Sequence, residues 1–268
     1  MSSTPQMLPD PSASRWVDHP AGRLFVCQWP GQDVEALPVV LLHDSLGAVA
    51  LWRDFPHALS AATGRTVIAY DRLGYGQSSP APGLQALDFI SAEAQGAFAA
   101  VRQALGLDRF VALGHSVGGG MAIHLAAADP QRCAAVVTMA GQAFVEARTR
   151  AGIREAQALF DDPQQVARLA RYHGDKARWV LDAWIDTWLS PAFDDWSLDG
   201  VLDQVRCPAL VMHGEEDEYG SVEHPRRIAA GIGAEARLVI YPGVRHMPHR
   251  ECPEAVIDDI AGFLAGVD

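Results

Sequence analysis

The sequence predicts an α/β fold: a mostly parallel, twisted sheet with helices on both faces, interrupted once by a helical insertion. Three observations carry this prediction. Short apolar runs without polar alternation recur along the chain, as expected of strands covered on both sides. Between them lie segments whose apolar residues fall at helical spacing, a βαβ rhythm rather than an internal repeat. Between Gln142 and Asp203 the rhythm stops, and the residues become polar, helix-forming and rich in tryptophan.

In chain order, Met1 to Ser14 is rich in Ser and Pro and reads as an N-terminal tail. Arg15 to Asp18 and Arg23 to Trp29 flank Pro20-Ala21-Gly22, which predicts an antiparallel hairpin at the sheet edge. Val39 to Leu42, Thr66 to Tyr70, Arg109 to Leu113 and Ala134 to Ala140 read as buried strands, and Asp88 to Leu105 and Met121 to Ala128 as helices. The sheet resumes at Ala209 to Gly214 and Ala236 to Tyr241. The expected division is a tail over 1–14, a core over 15–141 and 204–268, and a helical cap over 142–203. The cap carries Trp179, Trp184, Trp188 and Trp196. Trp184 and Trp188 are i, i+4 partners, expected chiefly to fix the cap to the core, with one or two of the four lining a pocket.

Composition narrows the function. With 268 residues, 49% hydrophobic and 20% charged, the chain has material for one large core and an excursion. A formal net charge of −12 argues against nucleic acid or anionic membrane as a partner. The N-terminus lacks an apolar signal-type region and no run of about 18 apolar residues occurs, so a cytoplasmic protein with a small-molecule substrate is expected. Oligomeric state leaves no trace in the pattern. The four cysteines, Cys27, Cys133, Cys207 and Cys252, are far apart and form no Cys-x-x-Cys pair, so buried, reduced thiols are expected rather than a zinc site or disulfide framework. Gly118-Gly119-Gly120 lacks the Lys-Ser/Thr of a phosphate loop, and no Gly-x-Gly-x-x-Gly opens the first βα unit. No cofactor or metal is expected.

The chemistry centres on Gly114-His115-Ser116-Val117-Gly118, a Gly-x-Ser-x-Gly pattern between a strand-like and a helix-like run. A serine on a sharp strand-to-helix turn needs small neighbours because the backbone is crowded there. The following helix aims N–H groups and the positive end of its dipole at any oxyanion formed nearby. A serine hydroxyl is a weak nucleophile at neutral pH, so a base and an orienting carboxylate are needed. Asp217 lies in the acidic loop Glu215-Glu216-Asp217-Glu218 after one strand, and His246 in the loop after the next. Glu215, Glu216 and Glu218 compete for the acid's role, and His249 for the base's.

The order Ser116, Asp217, His246, each past the end of a strand, resembles that of the α/β-hydrolase superfamily from about Arg15 onward. His43-Asp44-Ser45-Leu46-Gly47 and Asp71-Arg72-Leu73-Gly74-Tyr75-Gly76-Gln77-Ser78 are further similar segments. The resemblance implies a catalytic triad of Ser116, Asp217 and His246, the Gly-x-x-Asp spacing from Gly214 favouring Asp217 and the His-x-Pro pattern favouring His246, with His249 bracing the last helix. It also implies an oxyanion hole from the backbone N–H groups of Ser45 and Val117. Asp44 stands where the family usually has glycine, and a carboxylate there opposes developing negative charge unless it is paired or turned away. His43 is expected to hydrogen-bond its loop rather than to catalyse.

These readings converge on a serine hydrolase of a small ester or related carbonyl compound, working through an acyl-enzyme. The same triad serves carbon–carbon bond hydrolysis, lactone opening, acyl transfer and cofactor-free haloperoxidation. A reading of another class is a non-catalytic hydrolase-fold ligand receptor.

Overall fold

The computed structural model describes residues 14–267, so the tail expected over 1–14 lies outside the described residues except for Ser14, which opens the first strand. Among the described residues eight strands form one sheet: β1 (Ser14–His19), β2 (Gly22–Trp29), β3 (Val39–Leu42), β4 (Val67–Tyr70), β5 (Phe110–His115), β6 (Cys133–Met139), β7 (Ala209–Gly214) and β8 (Ala236–Tyr241). Their spatial order is β1-β2-β4-β3-β5-β6-β7-β8. β1 and β2 make the expected antiparallel hairpin, His19 opposite Gly22, and β2 pairs antiparallel with β4; every later pairing is parallel.

Alternate side chains of the strands feed two cores, one on each face. Val40, Leu42, Ile68, Tyr70 and Ala112 pack with α3 (Ala97–Leu105) and α4 (Val117–Ala128), which follow α1 (Phe55–Thr63) and α2 (Phe89–Ala92) in the chain. Val39, Leu41, Val67, Ala69 and Val111 pack on the other face with Leu59 of α1 and with Val256, Ile260 and Leu264 of the last helix. Because every side chain of β3, β4 and β5 is buried, the four- to six-residue runs are apolar but for His115 at the end of β5.

Two helices differ from expectation. The segment read as one helix over Asp88 to Leu105 breaks between α2 and α3, where Glu93 turns inward to accept a 2.5 Å hydrogen bond from the Tyr70 hydroxyl and Gly96 leaves helical geometry. The helix read from Met121 starts at Val117, because Gly118 to Gly120 are themselves helical.

Between β6 and β7 come α5 (Ala147–Leu159), α6 (Pro163–His173), α7 (Ala177–Leu189) and the short α8 (Asp199–Leu202). Asp162 caps α6 by accepting from Gln164 N–H, and Pro163 begins it. Trp188 of α7 packs edge-on to Phe193 and Trp196, whose rings stack at 5.4 Å. Trp179 of α7 covers Gly74, where a Cβ would collide with the indole, and donates to Gly83 O at 2.8 Å. These helices therefore rest on the 71–85 segment of the core. α9 (Glu223–Ile232), α10 (Pro248–Glu251) and α11 (Pro253–Leu264) complete the chain. No helix among the described residues is long and apolar enough to cross a membrane.

Candidate active site

Ser116 sits between the end of β5 and the start of α4, with φ 55° and ψ −124°. A residue with a Cβ rarely adopts this conformation, and such strain concentrates at functional sites. The surroundings enforce it. Ser116 N–H donates to Met139 O at 2.8 Å. A Cβ at Gly114 would strike the Gly118 carbonyl oxygen, and one at Gly118 would strike that of Leu42. Only glycines let the turn close this tightly, which is the physical content of the sequence pattern.

Asp217 lies after β7 and is fully buried. Its carboxylate accepts from Tyr219 N–H at 2.7 Å and Gly220 N–H at 3.1 Å, which fixes its plane. It also meets His246 Nδ1, at 2.9 Å from Oδ1 and 2.8 Å from Oδ2. Burial works against an ionised Asp217, yet His246, His213 and the Tyr219 amide together lower its pKa. Burial likewise works against an imidazolium, and the Asp217 carboxylate, helped by the charges of Asp44 and Glu218, raises the pKa of His246 above its ordinary value. With Nδ1 engaged by the carboxylate, Nε2 is the ring nitrogen left for chemistry.

Ser116 and His246 line one cavity of about 310 Å3, together with Ser45 and Asp44. In this structure the Ser116 hydroxyl donates to Gln142 Oε1 at 3.5 Å. Val117 is the first residue of α4, so its N–H has no carbonyl of its own helix to bond. The Ser45 loop is held by His43, whose Nδ1 donates to Asp44 O at 2.8 Å and whose Nε2 accepts from Arg72 N–H at 3.2 Å. That is the loop-bracing role expected of His43. Asp71 anchors the same region, its two oxygens accepting from Val49 N–H at 2.6 Å and Gln77 N–H at 2.7 Å, and burial raises its pKa to about 6.

The rivals fall elsewhere. Glu215 and Glu216 are exposed. Glu218 accepts from Arg245 at 3.1 Å and from His246 N–H at 3.2 Å, so it fastens the histidine's backbone rather than its ring. His249 is buried among Trp52, Phe55 and His115, and that burial pushes its pKa well down. It does not line the 310 Å3 cavity. Asp44, the residue in place of the family's glycine, has Oδ2 3.4 Å from His115 Nδ1, while His115 Nε2 bonds His246 O at 2.8 Å. His115 outweighs the effect of burial and holds the Asp44 carboxyl far below the usual carboxylate range.

The pattern did not reveal Gln142, Tyr219, Ile153 and Arg250, which also line the cavity. Gln142 alone had a signal available, since it follows a strand on the edge where Ser116 emerges. Trp184 and Trp188 both line the cavity and are also buried in packing, so the two roles expected of them coincide. Among the described residues no group of three or more His, Cys, Asp or Glu side chains is placed to hold a metal ion.

A family model for the alpha/beta hydrolase fold matches residues 38–180. A 2-hydroxy-6-oxononadienedioate/2-hydroxy-6-oxononatrienedioate hydrolase of Dechloromonas aromatica is 30% identical, across 98% of this chain and 99% of its own. A bifunctional esterase/perhydrolase of Acinetobacter calcoaceticus is 25% identical, across 90% of this chain and 95% of its own. The crystal structure of a hydrolase from Pseudomonas aeruginosa superposes with a TM-score of 0.75 at 21% identity, covering 96% of this chain and all of the other, which speaks for the fold. The match of the family model over more than half of the chain, on a sheet of this order with a strained serine at the end of β5, makes the chain a member of the α/β-hydrolase superfamily.

Proposed function

We propose that the protein is a serine hydrolase acting on a small ester or related carbonyl compound. The supporting observation is the grip of Asp217 on His246 Nδ1, at 2.8 and 2.9 Å, at the wall of a cavity that the strained Ser116 also lines. The Ser116 hydroxyl turns about χ1 from Gln142 toward His246 Nε2, gives up its proton there and attacks the carbonyl carbon. The N–H groups of Ser45 and Val117 take the charge that develops on the carbonyl oxygen. His246 returns the proton to the leaving alcohol, leaving an ester on Ser116, and a water activated by the same imidazole hydrolyses it. Asp217 stays ionised throughout and stabilises the imidazolium. The chemistry needs no cofactor, and the helices over 142–203 act as a cap that excludes water and shapes the pocket.

An aryl or alkyl fluorophosphonate should label Ser116, and p-nitrophenyl acetate should be turned over by the native chain but not by Ser116→Ala. Labelling elsewhere, or full activity of the alanine variant, rejects the reading. The near full-length match to a dienedioate hydrolase favours carbon–carbon bond hydrolysis as the second reading. A panel of short-chain esters against a vinylogous 1,5-diketone separates the two.

A further inference from the structure

Beside the main cavity lies a second one, with about 10 Å3 of space open to the centre of a water molecule. Asp44, Trp52, His115, His249 and Arg250 are among the residues that line it. It bridges the oxyanion-hole loop, which carries Asp44 and Ser45, and the short helix α10 that follows His246. Four of these residues carry a buried polar atom with no hydrogen-bond partner: Asp44 Oδ1, Trp52 Nε1, His249 Nδ1 and Arg250 Nε. Only eight such atoms occur among the described side chains, so half of them belong to residues that line one small space. Each group of this kind is stripped of water with nothing to replace it, and folded cores rarely leave four such groups in one place.

We propose that this cavity is a binding site for one water molecule, and that this water anchors Asp44 Oδ1 behind the loop that carries Ser45. The volume matches a single water centre. The chemistry of the wall selects the ligand further. Trp52 Nε1 and Arg250 Nε are donors only, and an ionised Asp44 Oδ1 is an acceptor only. His249 supplies either role through its tautomer, and burial favours the neutral ring, whose Nε2–H tautomer makes Nδ1 the second acceptor. Two donors and two acceptors are the complement of water, which accepts two hydrogen bonds and donates two. A metal or ammonium ion needs acceptors all round and is refused by the indole and guanidinium N–H groups. A halide needs donors all round and is refused by the carboxylate.

The site resolves the departure of Asp44 from glycine. Its Oδ2 faces His115 at 3.4 Å. His115 in turn must donate through Nε2, because its partner there, His246 O, only accepts. The bond from the water to Oδ1 anchors that end of the carboxylate behind the loop, while Asp44 also borders the main cavity. Arg250 is held in the same frame, its Nη2 donating to Leu51 O at 2.5 Å. The water thus links the two loops that the acyl-transfer reading assigns to the oxyanion and to the base. The site itself stands without that reading, and only this consequence rests on it.

The test is a crystal structure of the full chain at about 1.5 Å, with a second of Trp52→Phe. In the native crystal a fully occupied peak is expected within about 2.7–3.2 Å of all four atoms, with Asp44 Oδ1 turned to it. In Trp52→Phe the peak keeps three partners and its displacement parameter rises. A dry native cavity, an anomalous signal marking an ion, or Trp52 Nε1 and Arg250 Nε bonded directly to protein acceptors overturns the proposal. If only the variant fails to fold, the native map still decides. Density is read without turnover, so failure here leaves the hydrolase assignment standing, and a failed fluorophosphonate label leaves this site standing.

Discussion

Asp217 and His246 shift each other's protonation in opposite directions, and the proposed mechanism needs the imidazole neutral. Because the pKa of His246 is raised, the acidic limb of kcat/KM is expected to have its midpoint above 6.5, the ordinary histidine value; a midpoint below 6.5 in a pH–rate profile contradicts the pairing. The same shift enters stability. A raised histidine contributes below its folded pKa and loses that contribution as pH rises through it, whereas a lowered aspartate contributes above its ordinary value and loses that as pH falls. The pair therefore stabilises most in mildly acidic solution, where the acid is ionised and the imidazole protonated. Replacing Asp217 by Asn should cost on the order of 10^3- to 10^4-fold in kcat, while Glu216→Gln, on an exposed side chain, should leave kcat within about twofold. Equal losses from the two variants, measured on one ester, reject Asp217 as the acid.

At the scale of elements, the turns to which the proposed mechanism assigns chemistry were legible because each is local. The Gly-x-Ser-x-Gly turn, the acid after β7 and the histidine after β8 each depend on a few adjacent residues and a strand that ends there. The break between α2 and α3 was not legible, since it depends on Glu93 finding Tyr70 across 23 positions of chain. Nor was the role of Glu218, which exists only once the loops after β7 and β8 meet. Pocket residues on α5 were hidden for the same reason: helical spacing shows which face is apolar but not what that face meets. A further contact of this long-range kind closes the molecule. Arg65 is buried and donates to Leu37 O at 3.1 Å, to Leu264 O at 3.0 Å and to Val267 O. It thereby binds the carbonyl of Val267 just past α11 and adds a second bond to that of Leu264, which also accepts from Val267 N–H at 3.1 Å. Arg65→Met keeps most of the bulk but removes all three bonds, and a loss of about 1–3 kcal/mol is expected in chemical denaturation. An unchanged midpoint would show that solvent reaches those carbonyls.

For the whole molecule, two cores on one sheet leave little of the interior open to reagents. Cys27, Cys133 and Cys207 are buried and Cys252 is partly exposed, all four as free thiols. Burial pushes the Cys27 thiol up to about 12, so it offers almost no thiolate at neutral pH. A disulfide-exchange reagent should modify only Cys252 quickly in the native chain and all four in denaturant; rapid reaction of more than one native thiol contradicts this packing.

The strand order holds a last consequence. After β3 the chain steps outward to β4, then returns across β3 to β5, so the connections on either side of that reversal depart to opposite faces of the sheet. The gap they leave opens at the carboxyl ends of β3 and β5, where Ser45 and Ser116 emerge. The floor of the pocket is thus laid by topology, while much of its wall comes from a single excursion between β6 and β7. Selection could refit that wall for new substrates without disturbing the floor.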